Sequence, residues 1–221
     1  MNSAIILSGG IGSRFNDILP KQYQAINGKQ IISFVIDTVK KAKSIDKLVI
    51  VSEEKYFDSL IKNYGVEVTN GGNNRNRSVR NGIDYINSKY PCENIIILDS
   101  VRPFIEPSTI DLYMELLRNH QAVATAKKIT DSLSCYDKHI VDRERYYLLS
   151  SPEAFRFKLL YDHLDPDSNL FEITQQLPLE ADIYLYFEYV NDLKITYKQD
   201  FFLAKLLIEE QEKYHENTNG K

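Results

Sequence analysis

The residues whose types and spacing could do chemistry begin at the N-terminus. Leu7-Ser8-Gly9-Gly10-Ile11-Gly12-Ser13-Arg14-Phe15 places three glycines within four residues, and Arg14 and then Lys21, in Pro20-Lys21-Gln22, set two cations beside them. Glycine permits tight turns and lets a ligand approach backbone N–H groups closely. A glycine-rich turn after a first strand is therefore a seat for phosphate oxygens, and two fixed positive charges suit the same anions. Together these residues read as a cradle for a nucleoside triphosphate. Two familiar loops are excluded. The P-loop needs Lys-Ser or Lys-Thr after its last glycine, where this chain has Ser13-Arg14. The dinucleotide fingerprint needs a glycine or alanine where Phe15 stands. Taken alone, the turn is equally an ordinary strand-to-helix connection that tolerates glycine.

Three further stretches carry candidate groups. Gly71-Gly72-Asn73-Asn74-Arg75-Asn76-Arg77-Ser78 is a second glycine-led loop, which by itself reads as a surface loop with two solvated arginines. Asp99 ends the apolar run Ile95-Ile96-Ile97-Leu98 and precedes Ser100-Val101-Arg102-Pro103-Phe104. A carboxylate at the carboxyl end of a buried strand is placed to hold Mg²⁺ against phosphate oxygens; a lone Asp there is more commonly a cap. Arg102 offers the planar fork that suits phosphate. Near the C-terminus, Asn191-Asp192-Leu193-Lys194-Ile195-Thr196 holds another lysine.

The elements that must position these groups follow from periodicity. Ala4-Ile5-Ile6-Leu7, Lys47-Leu48-Val49-Ile50-Val51, Val66-Glu67-Val68, Ile95–Leu98, Ala122–Ala126 and Ile183–Val190 read as strands. Helices are expected at Ile31–Val39, at about 54–62, from Ser78 as N-cap to about 87, from Pro107 to about 119, from Ser151-Pro152 onward, and at about 199–214. Alternation of strands and helices implies α/β class: one doubly wound, mostly parallel sheet, Rossmann-like, over a single domain of residues 1–221. Ligands then bind at the carboxyl ends of the strands. From 131 to 150 the pattern turns polar and aromatic with β character, and leaves the βα alternation.

Composition narrows the class. A 221-residue chain, 43% hydrophobic, suits one domain with a full core. It has no apolar run long enough for a membrane span and no signal-peptide pattern, so a cytoplasmic protein without membrane partners is expected. Cys92 and Cys135 make neither a disulfide framework nor a metal set. A net charge of −4 without a basic stripe argues against nucleic acid.

Leu-Ser-Gly-Gly-x-Gly-Ser-Arg followed by Leu-Pro-Lys-Gln resembles the opening of the CTP-dependent cytidylyltransferases that act on small polyol phosphates, among them the 2-C-methylerythritol 4-phosphate and ribitol 5-phosphate enzymes. The resemblance runs to about Lys205. It implies CTP and a polyol phosphate as substrates, Mg²⁺ as cofactor, and a homodimer clasped by a projecting β-arm at about 131–150. By the same resemblance Leu7, Ser8, Gly9, Gly10, Gly12, Gly72, Asn73, Arg75, Ser78 and Ser100 bind the nucleotide. Arg14, Lys21, Arg143 and Lys194 act in catalysis, and Asp99 holds the metal. Arg102, Ser132, Arg143 and Thr196 hold the acceptor, Arg143 from either subunit. Asp-Ser-Val-Arg-Pro-Phe at 99–104 looks more like the ribitol phosphate branch than the methylerythritol one. Two departures are visible: Leu98 stands where the family has His, and Leu170-Phe171-Glu172 falls where a Thr-Asp pair is expected, which bears on the acceptor. Another nucleotide, a dehydrogenase or a non-catalytic nucleotide-binding module are the competing readings.

Overall fold

The computed structural model describes residues 1–10, 15, 19–137, 140–189 and 191–219. β1 (Asn2–Leu7) is followed by a short hairpin, β2 (Ala25–Ile26) and β3 (Lys29–Gln30), and then by α1 (Ile31–Lys41). Next come β4 (Lys47–Ser52), α2 (Phe57–Tyr64), β5 (Glu67–Asn70), α3 (Arg75–Lys89), β6 (Asn94–Asp99) and α4 (Pro107–Leu116). The chain ends with β7 (Ala122–Lys128), β8 (Tyr147–Arg156), α5 (Phe157–His163), β9 (Ile183–Tyr186) and α6 (Lys198–Asn219). The main sheet runs β5-β4-β1-β6-β8-β7-β9. Pairing is parallel except where β8 meets β6 and β7.

Unbroken apolar runs form strands here because both faces of the sheet are covered. Ile5, Ile6, Ile50, Ile96 and Ile97 have no exposed surface. α1 lays Ile32, Val35, Ile36 and Val39 on one face, together with Ile110 and Tyr113 of α4. α3 lays Val79, Ile83 and Ile86 on the other, with Phe157 and Leu160 of α5. Gly82 is there for closeness: a Cβ at that position would meet Ile5 Cδ1 at 2.8 Å and Val51 Cγ2 at 2.9 Å. A third cluster joins Phe15, Val101, Phe104, Ile195, Ala204 and Ile208, seating α6 beside the mouth of the sheet. None of the described helices is long and apolar enough to cross a membrane.

Three expectations about local structure need correction. Ser151-Pro152 does not open a helix; it lies in β8, and α5 starts at Phe157. The Ser-Pro pair mimics a helix start, but residues 150–155 are all buried, which a central strand satisfies. Pro152 sits where the β7–β8 register shifts, so its missing N–H interrupts no regular ladder. Second, α3 begins at Arg75 and not after Ser78: Asn74 is the cap, its side chain accepting from Arg77 N–H at 2.7 Å. The first turn, Arg75-Asn76-Arg77, is polar, so hydrophobic periodicity starts a turn late. Third, the described part of 131–146 holds one bridge residue, Cys135, and a 3₁₀ turn at Arg143–Arg145; a regular strand begins only at Tyr147.

Candidate active site

Because β1, β4, β5 and β6 are parallel, their carboxyl ends open on one edge, and the loops leaving them are laced together. Ser8 N–H donates to Val51 O at 2.8 Å, Gly71 N–H to Ser52 O at 2.8 Å, and Ser100 N–H to Leu7 O at 3.1 Å. The result is a cleft of about 550 Å³. Leu7, Gly9, Gly10, Lys21, Gly72, Asn73, Arg75, Ser78, Asp99, Ser100 and Lys194 all line it. Eleven candidates scattered over nearly the whole sequence are thereby brought to one place.

The others lie elsewhere. Gly12 and Arg14 fall outside the described residues. Ser8 is buried behind the cleft, its hydroxyl bonded to Tyr23 Oη at 3.1 Å. Arg102 is 8% exposed and faces inward: its Nε is 3.4 Å from Asp99 Oδ2, and its Nη1 bonds the Asp192 carbonyl. Arg102 is therefore a buttress of Asp99, not a group on the cleft wall. Thr196 donates its N–H to Asp200 Oδ2 at 2.9 Å at the start of α6. Ser132 is exposed on the arm. Arg143 bonds Thr130 O and lines a separate depression at the arm's base with Lys128, Tyr146 and Phe187.

Electrostatics in the cleft are arranged around Asp99 and Arg75. Lys194 Nζ lies 2.8 Å from Asp99 Oδ2. Burial alone would raise the Asp99 pKa, but the charges of Lys194, Arg75 and Arg102 outweigh it and hold the carboxyl well below the usual range. Arg75 stands at the first turn of α3, between Glu153 (3.5 Å) and Glu172 (3.4 Å). Burial opposes its charge; Glu153, Asp99 and Glu172 more than restore it. Glu172 is pushed up to about 7 by burial and by the neighbouring Glu153 charge, with Arg75 pulling the other way. Glu153 itself has no exposed surface and accepts from Ile173 N–H, Thr174 N–H and Thr174 Oγ1.

The sequence did not single out several of the residues that shape this site. Gln22 lines the cleft and clamps the first glycine turn, its Nε2 donating to Ser8 O at 2.8 Å and Gly10 O at 3.0 Å. Its signal was its place beside Lys21. Tyr23 Oη ties Ser8 to Ser52. Glu53 also lines the cleft, as does Phe171 of the Leu170-Phe171-Glu172 segment that the sequence had marked. Where Leu170-Phe171-Glu172 was read as displacing a Thr-Asp pair, Thr174-Gln175 comes one residue further on, in a 3₁₀ turn that Ile173 opens, with Thr174 buried against Glu153. Among the described residues no group of three or more His, Cys, Asp or Glu side chains forms a ready metal cage.

Such an arrangement suits an anionic, phosphate-bearing ligand: backbone N–H groups on two glycine turns, the positive end of α3, two lysines and an arginine. Known proteins agree. The family described as IspD, 2-C-methyl-D-erythritol 4-phosphate cytidylyltransferase, matches residues 3–210. A protein of that name from Thermotoga neapolitana is 26% identical, the alignment covering 96% of this chain and 99% of the relative. A ribitol-5-phosphate cytidylyltransferase from Lacticaseibacillus paracasei is 25% identical, covering 96% and 100%. The crystal structure of 4-diphosphocytidyl-2C-methyl-D-erythritol synthase from Anaerococcus prevotii superposes with a TM-score of 0.79 at 22% identity, covering 94% of this chain and 98% of that one, which supports the fold. Sheet, cleft and sequence thus converge on one assignment: the chain belongs to the 2-C-methyl-D-erythritol 4-phosphate cytidylyltransferase family and is a CTP-dependent nucleotidyltransferase.

Proposed function

We propose that this enzyme transfers the cytidylyl group of CTP to the phosphate of an open-chain polyol phosphate, ribitol 5-phosphate or a similar alditol phosphate. The observation that carries the transfer chemistry is the meeting of Lys194, Asp99 and Arg75 with both glycine turns in one cleft. An acceptor phosphate oxygen attacks the α-phosphorus in line, the bond to the bridging oxygen breaks, and pyrophosphate leaves. The products are a CDP-alditol and pyrophosphate. The attacking oxygen is already ionised, so no general base is needed, and the protein's part is positioning and charge stabilisation.

Gly9 and Gly10 with Lys21 hold the β- and γ-phosphates, with Gly12 and Arg14 assigned there from sequence. Gly72, Asn73, Arg75 and Ser78 hold the cytosine and ribose; Ser78 also fixes the turn, its Oγ accepting from Gly72 N–H at 3.0 Å. Lys194 faces the α-phosphate. Asp99 fits a Mg²⁺ of the kind held by one carboxylate together with substrate phosphates and water, because it is ionised and on the cleft wall. Bound there, the metal would neutralise charge on the triphosphate. Ser132 and Arg143 lie on the arm, remote from the cleft of their own chain, which supports a homodimer in which they serve the partner's site. Use of CTP supports a cytoplasmic location.

The alditol acceptor rests on the segment Asp99–Phe104, and the Lacticaseibacillus relative's name points the same way. Methylerythritol 4-phosphate is the second reading, favoured by the family description and the Thermotoga relative. Pyrophosphate release with CTP across a panel of polyol phosphates tests both. We expect the highest kcat/KM with a linear alditol phosphate; a clear preference for methylerythritol 4-phosphate would overturn the acceptor but not the transfer.

A further inference from the structure

Phe171 has a phenyl ring in a cleft otherwise furnished for anions. The side chain is 56% exposed, yet the loop that carries it is pinned. Arg75 Nη1 donates to Phe171 O at 3.1 Å. The buried Asn76 side chain donates to Ser168 O at 2.9 Å and to Leu170 O at 2.8 Å. Just beyond the ring, Ile173 and Thr174 N–H groups are held by Glu153 at 3.3 and 2.9 Å. The backbone on both sides of the ring is thus fixed, and the ring stands in the cleft more than half exposed. Its place in the cleft's lining, and not its exposure alone, makes it a surface for a ligand, since such sites set apolar and aromatic side chains around a few polar groups.

The ring's neighbours say what kind of ligand. Its centroid is 5.2 Å from Arg75 Cζ and 5.7 Å from Lys194 Nζ. Both are within cation–π range, so it bridges the cation assigned to the nucleoside and the cation assigned to the α-phosphate. The ring's negative face repels phosphate oxygens and attracts the positive edges of C–H groups. Resting on the transfer reaction proposed above, the in-line geometry puts the acceptor opposite the departing pyrophosphate, at the Lys194 end of the α-phosphate. We infer that Phe171 is a specificity-determining residue for the acceptor, its ring packing on the C–H face of the polyol chain whose phosphate attacks. The same contact restrains Lys194, so acceptor selection and charge stabilisation share one wall.

Steady-state kinetics of Phe171→Ala, Phe171→Leu and Phe171→Tyr test this, with KM measured separately for CTP and for ribitol 5-phosphate, methylerythritol 4-phosphate and glycerol 3-phosphate. For Phe171→Ala the acceptor KM should rise about ten-fold or more, the worth of one apolar contact, while the CTP KM moves less than about two-fold. Phe171→Leu should fall between, and Phe171→Tyr should restore the wild-type values. The ring is exposed, so truncation leaves the core intact, and an unchanged melting temperature checks that. An equal rise in CTP KM would make the ring a nucleotide wall and overturn the inference. So would a fall in kcat at unchanged KM values, or no change at all. A wild-type enzyme that turns over none of the three acceptors overturns the underlying reading, and this one with it; the variant patterns overturn this one alone.

Discussion

The cleft and the arm are opposites in how they hold their side chains. In and behind the cleft, charged groups answer one another: Asp99 pairs with Lys194 and Arg102, Arg75 with Glu153 and Glu172, and Arg102 with Asp192. On the arm, large apolar side chains stand in solvent; Tyr136 is fully exposed, Ile140 nearly so at 91%, and Tyr146 and Leu148 more than half. Preorganised charges cost no rearrangement when the reaction develops charge of its own. An exposed apolar segment cannot repay its ordering entropy from its own contacts. The difference teaches that the cleft's charges are answered by neighbours in the same fold, whereas the described residues leave the arm's apolar side chains uncovered, the surface that the proposed dimer would cover.

The comparison breaks most sharply at the cleft's central ion pair. Lys194→Ala should lower kcat on the order of a hundred-fold or more, as expected for loss of one transition-state donor. Asp99→Asn should do the same and also raise the Mg²⁺ concentration needed for half-maximal rate. Neither change should alter sedimentation, because both groups belong to the cleft and not to the exposed arm surface. Activity of Lys194→Ala within a few-fold of wild type would remove the lysine from the reaction.

A smaller effect is expected from the arm. Replacing 132–145 by a short turn should shift the protein from dimer to monomer in sedimentation velocity. CTP binding, measured by titration calorimetry, should stay within about two-fold, because none of the groups assigned to the nucleotide lies on the arm. Turnover should fall roughly ten-fold or more as Ser132 and Arg143 are lost. A truncated protein that stays dimeric and fully active would show that the arm serves neither role; one that is monomeric and fully active would leave the arm only its part in assembly.

How much of this was legible beforehand differs along the same divide. The sheet was readable because its strands are continuous apolar runs and its helices keep their period, as in α1 with Ile32, Val35, Ile36 and Val39. The cleft lining was readable in Gly9, Gly10, Lys21, Arg75, Asp99 and Lys194, because chemistry at strand ends uses few residue types. Arg102 was misplaced because a guanidinium's fork fits a carboxylate as well as a phosphate, and only packing reveals which one it meets. Glu153 was missed for a related reason, its role arising from long-range contacts such as its reach to Thr174 across 21 positions, and Gln22 because its role is to clamp the backbone of the first glycine turn. β8 was missed because it pairs antiparallel between two strands far off in sequence and contains a proline at its bulge.

The finest test of the contrast concerns Glu172, which pairs with the cleft-lining Arg75 and whose carboxyl its surroundings push upward. Glu172 has an ordinary carboxyl value of 4.5 when exposed, and folding pushes it up to about 7, through burial first and then the Glu153 charge, against the pull of Arg75. Between those values the folded chain binds more protons than the unfolded one, so stability falls as pH rises. The contribution is therefore full below about 4.5 and lost as pH passes through about 7. Asp99 works in the opposite sense: its carboxyl is depressed, so its contribution is present through the neutral range and fades only in acid. In the window from roughly pH 5 to 8, Glu172 is thus the group to look for among the carboxylates around Arg75. Glu172→Gln keeps the shape and the neutral form at every pH. Urea midpoints across that window should decline less with pH in the variant than in wild type, by on the order of 1–3 kcal/mol in extrapolated stability. If the two proteins lose stability in parallel, Glu172 is ionised throughout, and Arg75 is held by two full negative charges instead of one.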